Sequence, residues 1–239
     1  MSLSESPYAA RLIHPTRCDQ ELLARIERIV PIEHKWTKIA DSDYPWTQVR
    51  DPDRLLMRAL SLEDAGTPEL DPFWAATWRA AIGLEKFLDR YDLSGHRVLD
   101  LGCGSGRSGI GAALRGAFVT MTDLAGAAIL MSRYNARCVE SQVDCRRLDW
   151  TDETLPGEPF KWIIGSDIVY DPKLHPILEP CLRRHLAPGG RALLSEPQRH
   201  TGDRFSKWIR SAGWKLEEHL LSLDDNNRDL RIFELTLPT

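Results

Sequence analysis

The nine residues Val98-Leu99-Asp100-Leu101-Gly102-Cys103-Gly104-Ser105-Gly106 constrain the fold more than any other stretch. An apolar strand pattern carries one acid and runs straight into three alternating glycines. Glycine reaches positive φ and has no Cβ, so the stretch predicts a tight strand-to-helix turn whose backbone lies against a nucleoside. Gly104-Ser-Gly106-Arg-Ser-Gly109 is also a literal G-x-G-x-x-G, which alone suggests a dinucleotide site. Two features argue against a nicotinamide dinucleotide. Asp100 stands where a dinucleotide strand stays apolar, and the glycine spacing begins earlier, at Gly102. A ligand with an α-amino group and a sulfonium would welcome Asp100, directly or through water.

The rest of the chain sets this turn in a parallel sheet. From about residue 94, short apolar runs alternate with helical stretches, the rhythm of βαβ units. Strands are predicted over Arg97–Leu101, Phe118–Thr122, Val143–Leu148, Lys161–Ser166, Arg191–Ser195, Trp214–Leu221 and Leu230–Leu237. The last two read as a hairpin across Asp224-Asp225-Asn226-Asn227, and Pro188-Gly189-Gly190 reads as a turn before the fifth strand. Helices are predicted over Gly109–Arg115, Ala127–Cys138, Pro176–His185 and Asp203–Ala212. The expected fold is therefore α/β: a Rossmann-like, doubly wound, seven-stranded sheet, mostly parallel, with a C-terminal antiparallel hairpin.

Residues 1–70 read as a helical extension or lid ahead of a domain over 71–239. Cys18–Val30 is amphipathic, and Asp51-Pro52 caps and opens a second helix. Between them lie Trp36, Tyr44 and Trp46. These rings either pack the extension onto the core or line a substrate-binding lid.

Composition narrows the function classes. Of 239 residues, 42% are hydrophobic and 28% charged, with net charge −4, so no basic footprint points to nucleic acid. No apolar run is long enough for a membrane span, and the N-terminus lacks a signal-peptide layout. Five scattered cysteines form no metal-ligand spacing, so no metal site is expected, and reduced thiols fit a cytoplasmic protein.

Other candidate residues sit where strands end. Asp123 follows strand two and can accept both hydroxyls of a ribose. Asp149-Trp150, after strand three, could hold an adenine or could start a turn beside a core tryptophan. Asp167-Ile168-Val169-Tyr170 follows strand four. Asp167 could hold an ammonium there and Tyr170 supply an aromatic wall, unless Asp167 caps the next helix. Glu196-Pro-Gln198-Arg199-His200 reads as a solvated rim loop, although Glu196 or His200 could act on a substrate proton. Pro180-Cys181 has the dipeptide of cytosine-C5 methylases, but it falls inside a predicted helix.

Together these residues resemble the seven-β-strand, S-adenosylmethionine-dependent methyltransferases over about residues 70–239. Within them, Pro72-Phe73-Trp74-Ala75-Ala76-Thr77-Trp78 and Asp167-Ile-Val-Tyr170 resemble segments of the small protein-lysine methyltransferases, the branch acting on electron-transfer-flavoprotein β subunit in particular. Arg79-Ala80-Ala81-Ile82 departs from that branch's Pro-Gly-Gly-Gln run. An Asn-Pro-Pro-Tyr motif for adenine or glutamine methylation is missing after strand four. The resemblance implies S-adenosyl-L-methionine as cofactor and a protein lysine as acceptor, with oligomeric state left open. It implies a cofactor site of Trp74, Trp78, Asp100, Gly102, Gly104, Gly106, Asp123, Leu124, Asp149, Trp150 and Ser166, with Asp167 and Tyr170 as the catalytic pair. The alternatives are a small-molecule methyltransferase, a non-catalytic cofactor-binding scaffold and a nicotinamide-dependent oxidoreductase.

Overall fold

The computed structural model describes residues 16–61, 72–151, 153–223 and 227–238. Asp224, Asp225 and Asn226 of the expected polar turn, the N-terminal residues and the boundary near residue 70 lie outside them. Helix α1 (Arg17–Glu27) opens on a capping box, in which the Thr16 hydroxyl accepts from the Asp19 amide and the Asp19 carboxylate accepts from the Thr16 amide. Helix α2 (Pro52–Ser61) starts as predicted, with the Asp51 carboxylate accepting from the Arg54 amide at 3.0 Å. The extension is not purely helical, however. β1 (Ile32–Ile39) and β2 (Ser42–Val49) form an antiparallel hairpin between those helices. Ala40 and Asp41 turn it with φ of 47° and 58°, the left-handed pair that matches strand twist.

Tyr44 and Trp46 on β2 are fully buried, so they pack the extension onto the core and do not line an open lid. Trp36 is half-buried on β1. Tyr44 and Trp46 share one apolar cluster with Leu84 and Phe87 of α3 (Arg79–Phe87), Val98 of β3 (Arg97–Leu101) and Ile110 of α4 (Arg107–Leu114).

The remaining elements follow the expected alternation: β4 (Phe118–Asp123), α5 (Gly126–Asn135), β5 (Val143–Arg147), β6 (Phe160–Ser166), α6 (His175–His185), β7 (Leu186–Glu196), α7 (His200–Ser211), β8 (Lys215–Leu221) and β9 (Leu230–Thr236). The sheet order is β5-β4-β3-β6-β7-β9-β8, parallel through β7 and antiparallel where β9 meets β7 and β8. The chain runs outward from β3 to β5, then returns to the other side of β3 as β6. That reversal opens a crevice at the carboxyl ends of β3 and β6, where doubly wound sheets bind ligands.

Most boundaries shift by one to three residues, and that of β7 shifts furthest. Pro188-Gly189-Gly190 lies inside β7 and not ahead of it. Leu186 already pairs with Phe160, and pairing resumes at Arg191 with Trp162, so the excess residues loop out as a bulge with Gly189 at φ 65°.

Polar contacts fix the hairpin to the sheet. The buried Asn135 side chain accepts from the Thr47 amide at 2.9 Å and donates to the carbonyls of Thr47 and Ser105 at 2.9 and 3.0 Å. Tyr44 donates its hydroxyl to the Asn135 carbonyl at 2.7 Å. Truncating Asn135 leaves the Thr47 amide and carbonyl unsatisfied in a dry interior, at roughly 1–3 kcal/mol per group. Asn135→Ala should therefore lower unfolding free energy by about 2–4 kcal/mol, measured by urea denaturation of the two proteins.

Candidate active site

The glycine turn lies at the crevice between β3 and β6. Gly102, Gly104 and Gly106 take φ of 61°, 53° and 93°. A Cβ on Gly102 would meet Ile168 Cγ2 at 2.8 Å and the Trp150 ring at 3.4 Å, so the turn needs glycine both for its conformation and for space. Gly106 precedes α4 without a side-chain cap on the amides of the helix's first turn.

Contacts join the predicted residues into one rim. The Trp150 ring and Ile168 flank Gly102. Two residues beyond Ile168, the Tyr170 ring lies 5.4 Å from Phe73, and Phe73 lies 6.2 Å from Trp78, whose indole N–H donates to the Phe73 carbonyl at 2.8 Å. The Trp74 carbonyl accepts from the Ser105 hydroxyl at 3.3 Å and sits over Gly104. The Gly104 amide donates to Asp123 Oδ2 at 3.0 Å, while Asp123 Oδ1 accepts from the Ala125 amide at 2.9 Å. Leu124, half-buried, directly follows β4, and half-buried Ser166 ends β6, the two strands that flank β3. Phe73 carries no predicted role. Its signal was present in the Pro-Phe-Trp segment, beside the two tryptophans that were singled out.

Asp100 is placed differently from the rest. It is fully buried beneath α4, where the Gly109 amide approaches it but neither carboxylate oxygen reaches hydrogen-bond geometry with a partner among the described residues. Burial pushes its pKa up to about 8, the nearby Asp123 charge adds to this, and the Gly109 amide opposes it. A buried acid without a partner beside an anion-tolerant turn fits a cationic ligand close by. Burial also pushes the Cys103 thiol well up, so it lines the turn as a neutral group. Asp149 starts a turn: its Oδ1 accepts from the Thr151 amide and hydroxyl, and these bonds hold its carboxyl below the usual range. Trp150 packs partly buried against the core, and its carbonyl accepts from Arg184 at 2.6 Å.

The loop after β6 is held from two sides. Asp167 takes φ 54°, and its amide donates to the Ser195 carbonyl at 2.7 Å. Asp167 caps no helix. Its buried carboxylate receives both terminal nitrogens of Arg199, the second at 2.9 Å. His175, kept neutral by burial, donates Nε2–H to the Val169 carbonyl at 3.1 Å. The rim segment after β7 is not solvated as its composition suggests. Glu196 is buried, accepting from Arg231 Nε at 2.6 Å and from the Arg199 amide at 2.7 Å, whereas His200 is exposed. The Arg231 contact is not legible locally, because that partner lies 35 residues on.

Comparison with known proteins decides the family. A family model described as lysine methyltransferase matches residues 70–211. The chain belongs to the lysine methyltransferase family. It is 34% identical over 169 residues to protein N-lysine methyltransferase METTL21A of Danio rerio, covering 66% of this chain and 75% of that one. It is 34% identical over 143 residues to the electron transfer flavoprotein beta subunit lysine methyltransferase of Xenopus laevis, spanning 55% of this chain and 56% of that relative's length. The glycopeptide N-methyltransferase MtfA, solved with S-adenosyl-L-methionine, shares the fold with a TM-score of 0.59 at 16% identity, covering 69% of this chain and 97% of that one. The methyltransferase uses S-adenosylmethionine, and the cradle described above fits that cofactor: glycines at positive φ, an acid at the end of β4, and a buried acid without a partner.

The methyltransferase should titrate through Asp100. A carboxyl raised from 3.8 to about 8 favours the folded state most below pH 4, and that contribution is lost as pH rises towards 8. Asp100→Asn should therefore stabilise the ligand-free protein at neutral pH by a few kcal/mol at most, with the gain vanishing near pH 4. Thermal melts of both proteins across that range check it.

Proposed function

We propose that this methyltransferase transfers a methyl group from S-adenosylmethionine to the side-chain amine of a lysine in a protein acceptor, with Asp167 and Tyr170 at the acceptor position. The observation that carries this reading is the continuous rim from Gly104 and Asp123 to Tyr170. It sets a nucleoside cradle next to an aromatic wall and a buried carboxylate. Bound S-adenosylmethionine supplies an electrophilic methyl on its sulfonium.

In this reading the Asp123 carboxylate accepts from the ribose hydroxyls, and Gly102, Gly104 and Gly106 let the backbone close on the nucleoside. Trp150 and Asp149 face the adenine, with Leu124 and Ser166 lining the floor. Trp74 and Trp78 cover the methionine end, and Asp100 favours its positive charge from beneath. Phe73 and Tyr170 guide the apolar stem of an incoming lysine, and Asp167 orients its nitrogen. The work is mostly proximity and alignment. A lysine starts near pKa ~10.4, so the site must also favour its neutral form. Burial does so, while a lone carboxylate would do the opposite.

We further assign residues 1–70 to an extension ahead of the catalytic domain, of which the described residues 16–61 pack on the core, and the protein to the cytoplasm. Five free cysteines are consistent with that setting. No helix among the described residues is long and apolar enough to cross a membrane.

A labelled-cofactor assay on a proteome extract, followed by mass spectrometry, tests the acceptor class. Label on lysine residues of a protein is expected, and label confined to small molecules would overturn it. Asp123→Ala should weaken cofactor binding by at least tenfold in calorimetry, about 1.4 kcal/mol or more. Asp167→Asn should spare binding and remove most turnover. Phe73→Ala should raise KM for the protein acceptor more than it lowers kcat, as expected for a group that grips the lysine stem.

A further inference from the structure

The Asp167 carboxylate poses a chemical problem for the reaction. Methyl transfer needs a neutral amine, yet a carboxylate beside that amine favours the ammonium. The structure carries an answer in Arg199. Its guanidinium grips both oxygens of Asp167, from a loop that no sequence motif marks. Resting on the lysine-methyltransferase reading above, we propose that Arg199 is a positioning residue that cancels the charge of Asp167. The carboxylate can then orient an incoming amine without holding it protonated.

Three observations support a built arrangement and not a surface ion pair. Asp167 is buried and kept in a left-handed backbone conformation that aspartate adopts at a cost. Both oxygens are engaged, in the two-pronged geometry that arginine forms with a carboxylate and lysine cannot. Arg199 is itself fixed from behind, since Glu196 accepts from its amide at 2.7 Å and Arg231 holds Glu196 at 2.6 Å.

The other charged and titratable groups around Asp167 are largely tied to one another. Arg231 of β9 also pairs with Asp203 of α7 at 2.7 Å and Glu218 of β8 at 3.4 Å, and Arg210 of α7 shares Glu218. His175 of α6 bonds the Val169 carbonyl, and burial keeps it neutral. Asp171 accepts from the Lys173 amide, while exposed His200 lies 3.9 Å from Asp203. Tyr170 faces Phe73. Among the described residues, Arg199 is the cation in hydrogen-bond contact with Asp167.

The consequence has a sign. Without the Arg199 charge, Asp167 should attract an ammonium more strongly while turnover near neutral pH falls. A merely structural role would weaken both. Sinefungin probes this without a protein acceptor, because it carries a primary amine on the carbon that replaces the sulfonium. S-adenosylhomocysteine lacks that amine and serves as the control.

Calorimetry should compare the affinities of the two ligands in the wild type, in Arg199→Gln and in Asp167→Asn. The preference for sinefungin should rise about fivefold to tenfold in Arg199→Gln and fall in Asp167→Asn, tenfold being one unit of amine pKa. Arg199→His adds a test within one folded protein. Its preference for sinefungin should climb between about pH 5 and 9 as the imidazole loses its charge, while the wild-type preference does not. An unchanged or reduced preference in Arg199→Gln overturns the proposal. So does a flat profile in Arg199→His, if the glutamine variant fails to fold. Failure of the wild type to bind S-adenosylhomocysteine is a separate result, which strikes the cofactor reading and the inference resting on it.

Discussion

The Asn135 side chain joins three parts of the molecule that are far apart in sequence. Its amide satisfies both backbone groups of Thr47 on the N-terminal hairpin and also takes the Ser105 carbonyl of the glycine turn. An amide has donors and an acceptor in a fixed plane, so the hairpin and the turn can meet it in one relative placement. Nearby, Glu85 of α3 repeats the arrangement with charge. It accepts from the Ala40 amide at the hairpin tip and pairs with Arg107 and Arg115 at the two ends of α4. A buried ion pair of this kind adds little net stability, but breaking one side is costly, which makes it a strong determinant of geometry. The glycine turn is therefore held by the extension as well as by the sheet.

That dependence changes what the extension is. Ile26, Val30, Ile32 and Val49 form one apolar cluster with Trp74 and Ala75, and with Met131 and Tyr134 of α5. Trp74 thus belongs both to this cluster and to the rim of the cradle. Burial of these side chains, at roughly 25 cal/mol per Å² of apolar surface, ties the placement of Trp74 to the folding of the hairpin. Between the hairpin and the core remains a cleft of about 310 Å³, whose wall includes Lys35, Gln48, Thr77 and Arg107.

Much of this was readable in the sequence wherever a local pattern carried it. β3 has the predicted bounds and, β7 apart, the strands after it shift by a residue or so; β3 and β6 are the plainest, because a parallel strand buried on both faces is an apolar run. The glycine turn, Asp123 and the loop from Asp167 to Tyr170 sit together at the carboxyl edge for the same local reason. The hairpin was hidden because the middle of β2, Tyr44-Pro45-Trp46-Thr47, is buried on consecutive positions and contains a proline, so it shows no two-residue alternation. The Pro-Gly-Gly bulge reads as a turn because only pairing across to Phe160 extends β7 past it. The grip of Arg199 on Asp167 and of Arg231 on Glu196 joins residues more than thirty positions apart, and no spacing rule reports such a contact. Long-range polar pairing was the part of the site that needed coordinates.

The two halves of the rim are built from different material. The half proposed for the cofactor is a short turn locked by Asn135 into strands, helix and hairpin. The half proposed for the acceptor consists of Asp167 to Tyr170, Phe73 and the segment bearing Arg199, which rest on side-chain contacts between loops. On the proposed reading, substitutions in the second half redraw what the enzyme accepts while the turn that cradles the nucleoside keeps its frame. A scaffold divided in this way can change clients through a handful of loop residues while its expensive, cooperative part stays fixed.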